Sequence, residues 1–194
     1  LLTSNDSEHL RAMPQAFNLT HNADLSPLNT FGVAARARAL ARVDSRDGLV
    51  AALDHADRQS LRVEVLAGGS NVLIVEDLDA LVLQPQLRGM QWLGQGDDGR
   101  LRVRAAAGEN WHAFVGATLE HGAFGLENLA LIPGHVGAAP IQNIGAYGVE
   151  LERLVAAVEA YDRVDRCFVR IEAAACGFSY RDSRFKHDGE RHLI

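Results

Sequence analysis

The chain has 194 residues, 47% of them hydrophobic and 23% charged, with a formal net charge of -6. That length can bury the core of one domain or two small lobes without staples, and an acidic balance with scattered basic residues excludes a nucleic-acid partner while leaving room for a small anion. Cys167 and Cys176 have no second pair and no ligand-spaced His, which points to free thiols in a reducing cytoplasm rather than to a disulfide framework or a metal site. No apolar run is long enough to span a membrane, and the polar start lacks the flank and core of a signal peptide.

Residues 1–22 are polar and aperiodic, and are expected to form a disordered or peripheral leader. LNTFGVAARARALARV, residues 28–43, alternates as an extended segment. Asp44 or Ser45 then caps a helix that bears Leu49, Val50, Leu53 and Ala56 and runs to about Arg58. Val63, Val65 and Leu66 predict a strand, followed by the turn AGGSN, the apolar run VLIV and the extended piece LVLQP, together a small α/β unit. After the polar turn GQGDDGR, Leu101, Val103 and Ala105 alternate. Asn110 caps a helix whose face is Trp111, Phe114, Val115, Thr118 and Leu119, with Gly122 as its stop. Leu151, Leu154, Val155 and Val158 fit a helical face, yet VAAVEAY, DRVD and CFVRI fit a hairpin equally, and periodicity leaves both open. The closing RHLI reads as the opening of a strand, and with no initiator Met the chain is expected to be truncated. The reading is α+β, with a boundary between residues 84 and 96 dividing lobes 23–89 and 90–194.

Three stretches can carry chemistry. In LAGGSNVLI a strand delivers Gly68 and Gly69 into a turn ahead of Ser70 and Asn71, so that successive amides converge on an anion. It has neither the Lys of a Walker loop nor the helix of a dinucleotide fingerprint, and alone it is more ordinarily a glycine hairpin. Residues 125–148, GLENLALIPGHVGAAPIQNIGAYG, hold one charge, Glu127, and are too apolar for a solvated loop and too broken for a helix. Their glycine turn at Gly134, the small Ala138 and Ala139, the amides of Gln142 and Asn143, and Ile132, Ile141 and Ile144 suit an aromatic cofactor as well as a buried connector. Two such turns in one chain favour a ligand with two phosphates. The third stretch, GFSYRDSRFKH, gathers Tyr180, Arg181, Asp182, Arg184 and Lys186. Arg can steady a developing oxyanion there, although a solvated turn with Asp182 paired to an Arg is the commoner arrangement. The eight His residues show no metal spacing, and His112 is read as structural.

With these residues in place, the chain resembles the UDP-N-acetylenolpyruvoylglucosamine reductases, from LNTFGV through LAGGSNVLI, AAGENWHAF and GLENLALIPGHVGAAPIQNIGAYGVEL to GFSYRDSRFK. It is similar more widely to flavoproteins of the p-cresol methylhydroxylase and vanillyl-alcohol oxidase type, which hold FAD between two α/β lobes. The resemblance implies that Leu66, Gly68, Gly69, Ser70 and Asn71 bind FAD from one side. Ile132, Pro133, Gly134, Gly137, Ala138, Ala139, Gln142, Asn143, Gly145, Ala146 and Tyr147 would bind it from the other. It implies that Arg181 is the catalytic arginine acting on the enolpyruvyl carboxylate, with Tyr180 beside the substrate. It further implies NADPH as hydride donor, UDP-N-acetylglucosamine enolpyruvate as substrate, a monomer, and strands after Val155. The family's proton-donating serine and a second acidic residue lie in a later substrate domain, beyond this sequence. The rival readings are an FAD-dependent oxidase of a small alcohol or 2-hydroxy acid, and a catalytically inactive FAD-binding module.

Overall fold

A computed structural model describes residues 17–188 and 191–194. In chain order it contains β1 (Asn18–Asp24), β2 (Arg36–Val43), α1 (Arg46–Arg58), β3 (Arg62–Val65), β4 (Leu78–Pro85), β5 (Met90–Gln95) and β6 (Leu101–Ala105). There follow α2 (Trp111–Glu120), β7 (Gly145–Ala146), β8 (Val149–Glu150), β9 (Ala157–Asp162), β10 (Cys167–Glu172), the single turn α3 (Arg184–His187) and β11 (His192–Leu193), with short 3-10 turns between.

The first lobe is a four-stranded sheet in the order β1-β2-β4-β3, in which β4 runs parallel to both β2 and β3, and β1 antiparallel to β2. α1 makes the crossover. The Ser45 hydroxyl accepts from Gly48 N at 3.1 Å and caps it, and Leu49, Ala52, Leu53 and Ala56 press onto Ala39, Ala41, Val43, Leu81 and Leu83 of the sheet. The opposite face is covered by the segment after β3, whose Leu66 and Ile74 pack on Ala37, Leu40 and Val82. A register shift between Ala37 and Ala39 lets two residues of equal parity serve opposite faces.

One expectation is corrected here. Residues 18–22, assigned to the leader, belong to β1, while residues 1–16 lie outside the described part. β1 is an edge strand held by its ladder to β2, from Asn18 opposite Arg42 to Asp24 opposite Arg36. Only Ala23 is fully buried, so its sequence shows almost no alternation. The apolar run VLIV has no regular structure: Ile74 alone points inward, and Leu73 and Val75 are 63% and 79% exposed.

Residues 86–89 have no regular structure and link the first sheet to the β5-β6 hairpin, where we place the division between lobes. In the second lobe Asn110 caps α2 by accepting from Ala113 N at 3.0 Å. Trp111, Phe114 and Val115 pack on Leu129, Ala139 and Leu151, while Leu119, expected on that face, is 37% exposed. The segment after Leu154 settles as the β9-β10 hairpin, and the RHLI strand pairs as β11 with the other side of β9. Tyr161 and Leu193 enter the core of the first lobe, and Arg46 and Arg104 both pair with Glu159. Both cysteines are free thiols. No described helix is long and apolar enough to cross a membrane.

Candidate flavin site

Leu66 N donates to Leu83 O at 2.9 Å, keeping the chain on the sheet edge one residue past β3 before it turns away. Gly69 then has φ +63, and a Cβ there would lie 1.9 Å from Leu28 O, so only glycine fits. Its carbonyl accepts from Thr30 N at 3.1 Å. The loop pressing on it is itself fixed by the buried Asn29 side chain, which donates to Leu25 O at 2.9 Å and accepts from Val33 N at 3.0 Å. The amides of Gly68, Gly69, Ser70 and Asn71 donate to no acceptor among the described residues, a run of four unengaged donors.

The second turn meets the first directly. A Cβ on Gly68 would stand 3.3 Å from Gly134 Cα, and one on Gly134 would stand 3.7 Å from Ser70 Oγ. Gly134 has φ +122, and its carbonyl accepts from Trp111 N at 3.0 Å. Trp111 Nε1 in turn donates to Leu129 O at 2.7 Å, so α2 clamps both ends of this stretch. His112, as expected of a structural residue, accepts from Leu131 N at 3.3 Å.

The two turns are not equivalent donors. Val136 N donates to Glu109 O and Gly137 N to Ala107 O, both at 2.9 Å. Ala138 N and Ala139 N close a 3-10 turn onto His135 O and Val136 O. The open amides at the junction are therefore those of residues 68–71 with Gly134 and His135. Gly137 serves close packing, since a Cβ there would come within 2.7 Å of Ala107 Cβ.

The third stretch is bolted to the second. Ser179 and Asp182 exchange two backbone hydrogen bonds of 3.0 and 3.1 Å, which puts Tyr180 and Arg181 at the tip of a tight turn with Arg181 at φ +54. Ser183 Oγ donates to Ile141 O at 2.8 Å, Asn143 Nδ2 to Ser179 O at 3.0 Å, and the Arg181 guanidinium to Gly145 O at 3.2 Å. Asn143 also accepts from Glu152 N at 2.9 Å and is fully buried. It works as a brace, not as the ligand-facing amide that its sequence position suggests. Gln142, by contrast, is half-buried with its amide unengaged among the described residues. Gly145 and Ala146 form β7. Tyr147 (φ +50) and Gly148 (φ +78) close its hairpin to β8, leaving Tyr147 89% exposed. Tyr180 is 80% and Leu131 77% exposed, giving the site apolar and aromatic surface.

Asp182 pairs with His187 Nε2 at 2.8 Å and faces Lys186 at 3.9 Å, not an arginine. The His187 hydrogen bond holds its carboxyl below the usual carboxylate range. Arg88 pairs with Glu109 at 3.5 Å, and Glu109 also accepts from Gly89 N at 2.6 Å. That pair, together with the Leu28–Thr30 contact on Gly69, carried no signal in the sequence, because each joins residues far apart in the chain. A cavity of about 1340 Å³ lies behind the second turn, lined by Leu83, Met90, Trp111, Gly137, Ala139 and Leu193 among others. None of residues 68–71, Gly134 or Arg181 reaches it, so it is not the same place as the open amides.

Paired glycine turns from two lobes, meeting backbone to backbone with unengaged amides, suit a diphosphate, and the exposed Leu131 and Tyr147 of the same segment as the second turn suit an aromatic ring. The chain belongs to the FAD binding domain family, whose model matches residues 37–166. It is 47% identical over 183 residues to the UDP-N-acetylenolpyruvoylglucosamine reductase of Paraburkholderia phymatum, covering 94% of this chain and 53% of that one. The crystal structure of the UDP-N-acetylenolpyruvylglucosamine reductase of Thermus caldophilus superposes with a TM-score of 0.66 at 25% identity, over 86% of this chain and 56% of that one. A vanillyl-alcohol-oxidase-type flavoprotein of Myceliophthora thermophila shares the fold at a TM-score of 0.54 and 12% identity, over 69% of this chain and 26% of its own. The chain spans about half the length of the curated relatives it matches.

Proposed function

We propose that this chain is the FAD-holding part of a cytoplasmic, NADPH-dependent reductase that acts on UDP-N-acetylglucosamine enolpyruvate in peptidoglycan precursor synthesis. The observation that carries the reading is the direct contact between the Gly68 and Gly134 turns, with the Arg181 turn tied to the same segment by three hydrogen bonds. When bound, FAD supplies hydride-transfer chemistry. The amides of residues 68–71, with the Ser70 hydroxyl, take the diphosphate, and Gly68 and Gly134 keep the approach free of side chains. Leu131, Ile132 and Tyr147 offer the ring an apolar wall. Arg181 places one N–H on Gly145 O and keeps its remaining donors toward solvent, where they fix the enolpyruvyl carboxylate and take up negative charge as it develops. Tyr180 stands beside it. Asn143 and Ser183 hold that turn against PIQNIGAYG, so that arginine and cofactor site keep one spacing.

Anaerobic reduction of the purified protein by NADPH, followed by reoxidation with the enolpyruvyl nucleotide or with oxygen, tests this. Reoxidation by the nucleotide supports the reductase; fast reoxidation by oxygen alone supports an oxidase instead. A yellow protein without turnover is a binding module, and one that takes up no added FAD overturns the cofactor reading altogether.

A further inference from the structure

His135 stands where the two glycine turns touch. Its Cδ2 is 3.9 Å from the point a Cβ on Gly68 would occupy. Nδ1 is buried with no hydrogen-bond partner among the described residues, whereas Nε2, the atom bonded to Cδ2, is left open on the side of the turn contact. The backbone fixes the ring's position: His135 bridges Asn110 in an antiparallel pair, with Trp111 N on Gly134 O and Val136 N on Glu109 O to either side. A buried orphan N–H is costlier than a buried bare acceptor, so the neutral ring keeps its proton on Nε2. The charged groups facing it are Arg88 and that residue's partner Glu109. Burial first, and the Arg88 charge second, hold the imidazole below its ordinary value, so it stays neutral near pH 7.

We propose that His135 is a specificity-determining donor of this site, giving its Nε2–H to a phosphate oxygen of a diphosphate held on the open amides at the contact of Gly68 with Gly134. The proposal rests on the FAD reading. It adds one directed side-chain donor to a cradle otherwise made of amides and a hydroxyl, and it separates a diphosphate ligand from an unphosphorylated one. Glutamine carries its amide nitrogen near the place of Nε2, whereas asparagine reaches only the place of Nδ1.

The test titrates FAD and riboflavin into wild type, His135→Gln and His135→Asn, following flavin fluorescence, with imidazole nitrogen chemical shifts read by NMR in the wild type. FAD affinity is expected to stay within about threefold in His135→Gln and to fall about tenfold in His135→Asn, as for one hydrogen bond to a charged group. Riboflavin should bind alike in all three, and the proton should reside on Nε2. Unchanged FAD affinity in His135→Asn, an equal loss for riboflavin, or a proton on Nδ1 overturns the proposal while leaving the FAD reading intact. A wild type that binds no FAD overturns both.

Discussion

Gly69→Ala tests the physical basis of the site most directly. The added Cβ would sit 1.9 Å from Leu28 O, 2.8 Å from Leu28 C and 2.9 Å from Asn29 Cα. An ordinary carbon-to-oxygen contact is about 3.3 Å, so the loop would have to retreat by about 1.4 Å. That loop cannot drift freely, because Asn29 is buried and bonded at both ends of its amide. Overpacking of this kind costs about 1–3 kcal/mol, and alanine at φ +63 about 1–2 kcal/mol more. At about 2 kcal/mol per molar urea, the unfolding midpoint should fall by about 1–2.5 M, and FAD uptake should fall with it. Gly68→Ala is the control. Its Cβ would be tight only against Gly134 Cα, at 3.3 Å, with Gly134 C and His135 Cδ2 at ordinary contact distances of 3.8 and 3.9 Å, and no left-handed φ opposes it. Stability should stay within about 1 kcal/mol, while the methyl group stands in the junction and weakens FAD binding. An unchanged midpoint for Gly69→Ala, or a larger loss for Gly68→Ala, would refute the reasoning.

Arg181→Ala in catalytically competent protein should retain FAD and lose about a hundredfold or more in turnover, as for a missing oxyanion donor; steady-state kinetics beside flavin absorbance checks this. Asn143→Ala leaves Glu152 N without its acceptor and removes one of the two donors to Ser179 O, both in part-buried positions, which should cost about 1–2 kcal/mol in a urea melt and expose the Tyr180–Arg181 tip to trypsin. Asp162 is held down to about 2 by the Arg191 hydrogen bond, then by the backbone amides of Asp165 and Val164. A carboxyl held lower in the folded state than in the unfolded one stabilises above about pH 4, and that stability is lost as pH falls toward 2. The stability difference between wild type and Asp162→Asn should therefore be constant from pH 7 to 5 and shrink below 4; a pH-independent difference would disprove the linkage.

Much of the fold is legible wherever a local rule and burial agree. Ser45 and Asn110 cap the helices they precede, Gly122 ends α2 at φ +71, and the alternation of Leu101, Val103 and Ala105 makes β6. Legibility fails where pairing rather than patterning forms the element. β1 shows polar residues because its ladder, not its side chains, holds it, and the apolar run VLIV puts only Ile74 onto a sheet face without joining the sheet. In the site, both glycine turns and the Tyr180–Arg181 turn were visible as composition. Which amides stay open was not, because that depends on Glu109 and Ala107 occupying Val136 and Gly137 across 27 and 30 residues of chain. Asn143 shows the same limit: an amide in an apolar segment looks ready for a ligand until its bonds to Ser179 and Glu152 appear.

The junction of Gly68 with Gly134 exists only while the two lobes are docked, so an unfolded chain offers the ligand nothing comparable. Occupancy and folding are thus one equilibrium. At a free ligand concentration a hundred times its dissociation constant, the folded state gains about 2.7 kcal/mol. The melting temperature of this protein would then report how much cofactor surrounds it, and a cofactor-starved cell would lose the protein itself before it lost only the colour.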